Sequence, residues 1–256
     1  MREVMVLGQR LGHGAPKTVV SLMGSDAEEL VAQARKATAA GADCLEWRVD
    51  FLRDLSSITP TAHVLCEAAG VAPLIGTVRT AEQGGNLDLA PETYVDLCGT
   101  LAQSKGADIL DVELDKGDDV VRDLVQMAHT LRKRAIVSYH DFAQTPPTRQ
   151  MVELLEHMVE LGADLPKLAV MAHDQADCLR LMEASAHVQA ELGVPTVAIA
   201  MGAHGMLSRL AGQACGSALT FCALGQASAP GQVELAQALR VIAALHAALG
   251  KTGDES

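Results

Sequence analysis

An apolar run, Gly162-Ala163-Asp164-Leu165-Pro166-Lys167-Leu168-Ala169-Val170-Met171, carries a single lysine in its middle. An ammonium set among apolar side chains snorkels to water, pairs with a carboxylate, or gives up its proton. The last outcome leaves a free amine, which attacks carbonyl carbon and forms an imine. His140, in Ser138-Tyr139-His140-Asp141, lies 27 residues earlier and offers a general acid and base. Arg48, Arg79 and Arg209 stand at or just past the ends of other apolar runs, and a guanidinium grips a carboxylate bidentately. Brought together, these groups suit a small anionic carbonyl compound.

Each residue alone also has a structural reading. Lys167 serves as a strand-end lysine reaching water, His140 as a packed or surface histidine, and Arg48 as a partner of Asp50 or Glu46. Ser228-Ala229-Pro230-Gly231 reads as an ordinary turn, and Gly84-Gly85 as loop punctuation or a lid hinge. The elements that carry these residues decide between the two sets.

Short apolar runs fall at 19–23, 44–49, 73–78, 109–114, 135–139, 165–171, 196–201 and 217–224. They are continuous, not alternating, as expected of parallel strands covered on both faces. Helix-period segments lie between them at 26–40, 55–69, 91–104, 118–133, 148–161, 175–192, 205–211 and 232–249. Gly-Ala-Asp recurs at 41–43, 106–108 and 162–164, with glycine suited to the left-handed position that ends a helix. Ser25-Asp26 and Thr148 are expected as N-caps, and Pro91 in a first helical turn. Eight such units predict one α/β domain over residues 1–256, a (β/α)8 barrel of the TIM type. Residues 1–17 are expected as a leader or hairpin outside the main fold and 250–256 as a flexible tail. An open doubly wound sheet lacks its G-x-G-x-x-G turn after the first strand.

In a barrel the chemistry gathers at the C-terminal ends of the strands. The second strand delivers Glu46 and Arg48 on one face, with Trp47 and Val49 on the other. The third ends at Arg79, the fifth at His140 and the sixth carries Lys167. Met201-Gly202-Ala203-His204 leads to Arg209 after the seventh, and Ser228 to Gln232 follow the eighth. Adjacent strands are then expected to hold His140 and Lys167 side by side at one level.

Composition sets outer limits. The formal charge is −12, against the basic stripe of a nucleic-acid surface. Six cysteines without a C-x-x-C pair read as reduced core residues of a cytoplasmic protein, and nine histidines show no metal-ligand spacing. No signal peptide is evident, and the apolar stretch 233–249 is broken by Glu234, Gln237, Arg240 and His246, as in a packing helix rather than a membrane span.

Over residues 18 to 249 the chain resembles the type I 3-dehydroquinate dehydratases of the shikimate pathway. The likeness rests on Glu46-Trp47-Arg48-Val49-Asp50, Thr77-Val78-Arg79 with Gly84-Gly85, and Ser138-Tyr139-His140-Asp141-Phe142 with Thr145-Pro146. It continues in Ala163 to Ala169 around Lys167, Ser208-Arg209-Leu210-Ala211-Gly212, Gly216-Ser217 with Thr220-Phe221, and Ser228 to Gln232. The resemblance implies a dimeric barrel without metal or cofactor that converts 3-dehydroquinate to 3-dehydroshikimate by syn loss of water. It also implies that Lys167 forms the imine, His140 moves the protons and Arg209 binds the carboxylate with Gln232 and Ser228 nearby. Glu46, Arg48 and Arg79 would face ring hydroxyls, and Ser21 would line the site. The family's glutamate before Gly-Gly is here Gln83, which hydrogen-bonds but carries no charge; this implies a His140 pKa lower than glutamate would give. The alternatives are another imine-forming aldolase-type barrel or a non-catalytic ligand-binding relative. Biosynthetic and quinate-degrading roles both stay open.

Overall fold

The computed structural model describes residues 3–251. An antiparallel hairpin, β1 (Val4–Val6) and β2 (Gln9–Leu11), comes first. Eight strand–helix units follow: β3 (Lys17–Leu22) and α1 (Ala27–Ala39), β4 (Cys44–Arg48) and α2 (Ile58–Ala69), β5 (Leu74–Thr77) and α3 (Pro91–Gln103), β6 (Ile109–Glu113) and α4 (Asp118–Thr130). Then come β7 (Arg134–Asp141) and α5 (Thr148–Glu160), β8 (Leu165–Met171) and α6 (Gln175–Leu192), β9 (Val197–Met201) and α7 (Met206–Leu210), β10 (Leu219–Ala223) and α8 (Leu235–Lys251). A two-residue strand, β11 (Val233–Glu234), runs parallel to β10 just before α8. The rest of the tail expected at 250–256, past Lys251, lies outside the described residues.

The strands pair in chain order from β3 to β9, with β10 beside β3. The ring closes between β9 and β10 through a parallel bridge of Thr196 with Ser217, where Ala198 N donates to Ser217 Oγ at 3.1 Å. The result is a (β/α)8 barrel of the TIM type. Among the described residues no helix is long and apolar enough to cross a membrane.

Burial explains the continuous apolar runs, because each strand feeds two cores. Outward residues such as Leu45, Trp47, Leu110, Val137 and Leu168 pack under the helices with Leu30, Leu65, Leu101 and Leu155. Inward residues Val19, Cys44, Ile75, Ile109, Ile136, Leu165 and Val197 fill the barrel's lower interior. The hairpin is not outside the fold. Its Val4, Val6 and Leu11 join that interior cluster, so it plugs the bottom of the barrel and leaves the polar chemistry to the other end.

The Gly-Ala-Asp repeat has a second use besides ending helices. Asp43 accepts from Thr18 N at 2.8 Å, Asp108 from Leu74 N at 2.9 Å and Asp164 from Ala135 N at 2.9 Å. Each aspartate thus ties the start of its own strand to the start of the preceding one. Gly106 departs from the expected left-handed conformation, since only Gly41 and Gly162 of the three have positive φ. It is small for another reason: a Cβ there would lie 2.5 Å from the Trp47 ring. Asp26 caps α1 through Glu29 N as expected, whereas the cap of α5 is Pro147, with Thr148 already inside the helix.

Candidate active site

Period-two alternation points Glu46 and Arg48 of β4, Asp111 and Glu113 of β6, Ser138 and His140 of β7 and Lys167 of β8 toward the barrel axis. Arg79 follows β5, Arg209 lies on α7, and Ser228 and Gln232 lie between β10 and α8. Glu46, Arg48, Arg79, Gln83, His140, Lys167, Arg209, Ser228 and Gln232 all line one cavity of about 70 Å³ at the C-terminal mouth. Ser21 does not line it. Its hydroxyl donates to Glu46 Oε2 at 2.6 Å and accepts from Ser228 Oγ at 3.0 Å, so it supports two residues that do.

The ladder refines the relation of the two central groups. Ser138 pairs with Lys167, and His140 pairs with Ala169. His140 therefore stands two residues nearer the mouth, about 6–7 Å further along the strand direction, and not level with Lys167. The lysine's long side chain spans that offset.

Lys167 is 3% exposed, and its Nζ donates to Asp111 Oδ2 at 3.0 Å, with Glu46 Oε1 at 3.8 Å and the Phe221 ring centroid at 4.5 Å. Asp111 Oδ1 accepts in turn from Arg79 Nη2 at 2.8 Å and Ser138 Oγ at 2.6 Å. Arg79 Nη1 reaches Glu113 at 3.1 Å, and Glu113 also accepts from Thr80 N and Thr80 Oγ1. Burial pushes the Asp111 carboxyl up, but Arg79 and Lys167 reverse this and hold it well below the usual carboxylate range. Glu46 is fixed by Ser21 and Thr77, and Arg48 forms the fork to Asp50 at 2.7 Å on both arms. Of the two partners open to Arg48, the structure selects Asp50.

Burial, and then Arg79 and Lys167, push the His140 imidazole well below its ordinary pKa; Asp111 opposes them. The ring is therefore neutral at neutral pH. Phe142 stacks on it with centroids 6.0 Å apart. That placement needs Gly84, because a Cβ there would meet the Phe142 ring at 2.3 Å. Gln83 Oε1 accepts from the His140 backbone N–H at 2.8 Å and faces Nδ1 at 3.2 Å.

Arg209 is 2% exposed, and no carboxylate lies within salt-bridge distance among the described residues. Its Nη2 donates to Pro230 O at 3.0 Å and Nη1 weakly to Phe221 O at 3.4 Å, while Nε has no partner. Burial draws its pKa down to about 10. The loop against it is held close by Gly231, where a Cβ would strike Gly202 O at 2.3 Å. In that loop Gln232 Nε2 donates to Ser228 Oγ and Ser228 N donates back to Gln232 Oε1, both at 2.8 Å. Among the described residues no cluster of His, Cys, Asp and Glu is placed to hold a metal ion.

Sequence reasoning missed Asp111 and Glu113, the counter-ions of Lys167 and Arg79, and gave Ser138 no role in the site. The signal was present. Ile109-Leu110-Asp111-Val112-Glu113 puts two carboxylates at period two inside an apolar strand, which demands cationic partners on the neighbouring strands.

Comparison with known proteins agrees with this geometry. The model of the family described as type I 3-dehydroquinase matches residues 18–248. A 3-dehydroquinate dehydratase of Salmonella typhimurium is 40% identical over 256 residues, covering 97% of this chain and 100% of that one. One from Bacillus licheniformis is 38% identical over 247 residues, covering 95% and 97%. Among solved structures, a type I 3-dehydroquinate dehydratase from Clostridium difficile, crystallised with covalently modified comenic acid, superposes with TM-score 0.91 at 34% identity, covering 96% and 98% of the two chains. The 3-dehydroquinate dehydratase of Geobacillus kaustophilus superposes with TM-score 0.92 at 30% identity, covering 96% and 97%. A barrel whose mouth joins a buried lysine, a neutral histidine and an arginine without a counter-ion, and whose sequence and backbone match these proteins over nearly their whole length, belongs to the type I 3-dehydroquinase family.

Proposed function

We propose that this protein is a lyase that dehydrates 3-dehydroquinate to 3-dehydroshikimate in the shikimate pathway, through an imine on Lys167. The observation that carries the mechanism is the joint placement of a buried amine and a neutral imidazole on adjacent strands facing one cavity.

The Lys167 ammonium gives up a proton, its Nζ adds to the ketone carbon, and that proton returns to the departing oxygen, so that water leaves and an iminium remains. Asp111 lies against the nitrogen and balances its positive charge. The iminium withdraws electrons from the neighbouring carbon, so its proton becomes acidic. His140 takes that proton and leaves an enamine, whose electrons then expel the hydroxyl on the next carbon. The imidazolium returns the same proton to the departing oxygen, so water leaves and His140 ends neutral. One group on one face serves both steps, which makes the elimination syn. Hydrolysis of the conjugated iminium releases the enone and restores Lys167.

Arg209 takes the substrate carboxylate as the counter-ion it lacks, flanked by Gln232 and Ser228. Glu46 and Arg48 face the ring hydroxyls, with Ser21 steadying Glu46. Arg79 has its donors engaged by Asp111, Glu113 and Ser138 and acts on the site through its charge. The chemistry closes without metal or cofactor. The reading extends to a cytoplasmic homodimer, as the family resemblance implies, and sedimentation tests that state directly.

The deciding experiment mixes the protein with 3-dehydroquinate and borohydride and maps the adduct by peptide mass spectrometry. The expected result is reduced adduct on Lys167, absent in Lys167→Ala, together with enone absorbance from product. No adduct and no enone would overturn the dehydratase reading, while carbon–carbon cleavage of the substrate would replace it with an aldolase.

A further inference from the structure

A neutral imidazole has two tautomers, and only one leaves Nε2 free to take a proton when Nδ1 faces Gln83. Which tautomer forms depends on which end of the Gln83 amide points at the ring. The opposite end of that amide is fixed: Gln83 Nε2 donates to Asp115 Oδ2 at 2.7 Å. An ionised carboxylate only accepts, so Asp115 can be met by the NH2 end alone. The carbonyl end then faces His140, where the backbone N–H, a donor only, supports the same orientation at 2.8 Å and Nδ1–H donates at 3.2 Å.

The surroundings hold Asp115 in this task. Lys116 Nζ lies 3.4 Å from Asp115 Oδ1 and is itself held by Glu82 at 2.8 Å and Glu113 at 3.4 Å. Gln83 is 5% exposed, so an NH2 end deprived of Asp115 would be a buried donor with little access to water. The charged groups acting on the ring are Arg79, Lys167, Arg48 and Asp111, and their hydrogen bonds go to residues other than Gln83 and Asp115.

We propose that Asp115 is a positioning residue for the proton-transfer histidine, acting through Gln83 to fix the Nδ1–H tautomer of His140 and to direct Nε2 at the substrate. The inference rests on the dehydratase reading for its effect on rate but not for its effect on the ring. It also changes what Gln83 means. Glutamine is not a weakened glutamate here; it is the middle member of a relay whose carboxylate sits one hydrogen bond further from the histidine. A glutamate at 83 would face Asp115 carboxylate to carboxylate.

The test combines turnover with the ring-nitrogen chemical shifts of ¹⁵N-histidine-labelled protein without substrate. Asp115→Leu, or Asp115→Ala should the first fail to fold, is expected to mix the His140 tautomers and lower kcat on the order of tenfold with little change in KM. Asp115→Asn keeps an acceptor for Gln83 Nε2 and is expected to stay within about threefold of the parent. Gln83→Glu alone is expected to lower kcat, whereas Gln83→Glu combined with Asp115→Leu is expected to recover activity lost in Asp115→Leu, since a lone glutamate accepts from Nδ1–H unaided. An unchanged tautomer and kcat in Asp115→Leu, or no recovery in the double variant, overturns the proposal. Failure of the unsubstituted protein to dehydrate 3-dehydroquinate would strike the functional reading instead and leave the tautomer result standing.

Discussion

Arg79 and Arg209 are buried to nearly the same degree, 3% and 2% exposed, and stand in opposite electrostatic states. Arg79 has Asp111 and Glu113 built in beside it, and these, with Glu46, more than offset the burial that would strip its proton. Arg209 has carbonyl oxygens, an orphaned Nε and, among the described residues, no carboxylate. A charge with its counter-ion inside the protein belongs to the scaffold. A charge without one is an invitation to an anion that arrives from solution, because binding relieves a desolvation cost already incurred in folding.

That contrast is most forcefully broken by Arg79→Met, which takes the shared guanidinium from two buried carboxylates. It is expected to lose about 3–5 kcal/mol of stability in denaturant unfolding. Arg209→Met removes an uncompensated charge, so stability is expected to hold or rise, while KM for 3-dehydroquinate increases about 10–100-fold, the value of a charge-assisted bidentate pair. Stability lost at Arg209 with KM unchanged would reverse the roles assigned to the two arginines.

A smaller effect is expected from Gln232→Ala, which removes both of its hydrogen bonds to Ser228: KM should rise several-fold, in line with about 1 kcal/mol for one lost hydrogen bond to substrate, and stability should fall by no more than about 1–2 kcal/mol. The gentlest probe is pH. The His140 imidazole is held below 6.5, so the neutral base persists as pH falls past 6.5 and the acid limb of kcat/KM lies lower than an ordinary histidine gives. Over the same window the unfolded chain binds the proton first, so the His140 contribution lowers stability as pH falls from 6.5 to the folded value. Arg79 is among the charges that produce this depression and Arg209 is not. Arg209→Met should therefore leave the acid limb in place, and a limb at 6.5 or above in the parent protein would refute the assignment.

The same division separates what is readable in the chain from what is not. Lys167 and His140 stand out in sequence because each is a polar exception in an apolar strand run, one βα unit apart. The lengths of β8 and α6 match their sequence periodicity to the residue. Residues 1–17 were legible as a leader or hairpin, but the docking was not: Val4, Val6 and Leu11 are too short a pattern to say which apolar surface they cover. Asp111 was legible only by asking of β6 what was asked of the strands beside it.

Apolar periodicity and turn chemistry are local properties, and they alone determined the eight strands, their order and the strand ends that carry Lys167, His140 and the arginines. Barrel closure decided the rest. It brought Arg79 to Asp111 and Glu113, Lys167 to Asp111, and Gln83 between Asp115 and His140, and it left Arg209 without a carboxylate among the described residues. Which charges meet depends on strand register and stagger around the ring, and pairings between residues more than thirty positions apart leave no trace in local sequence.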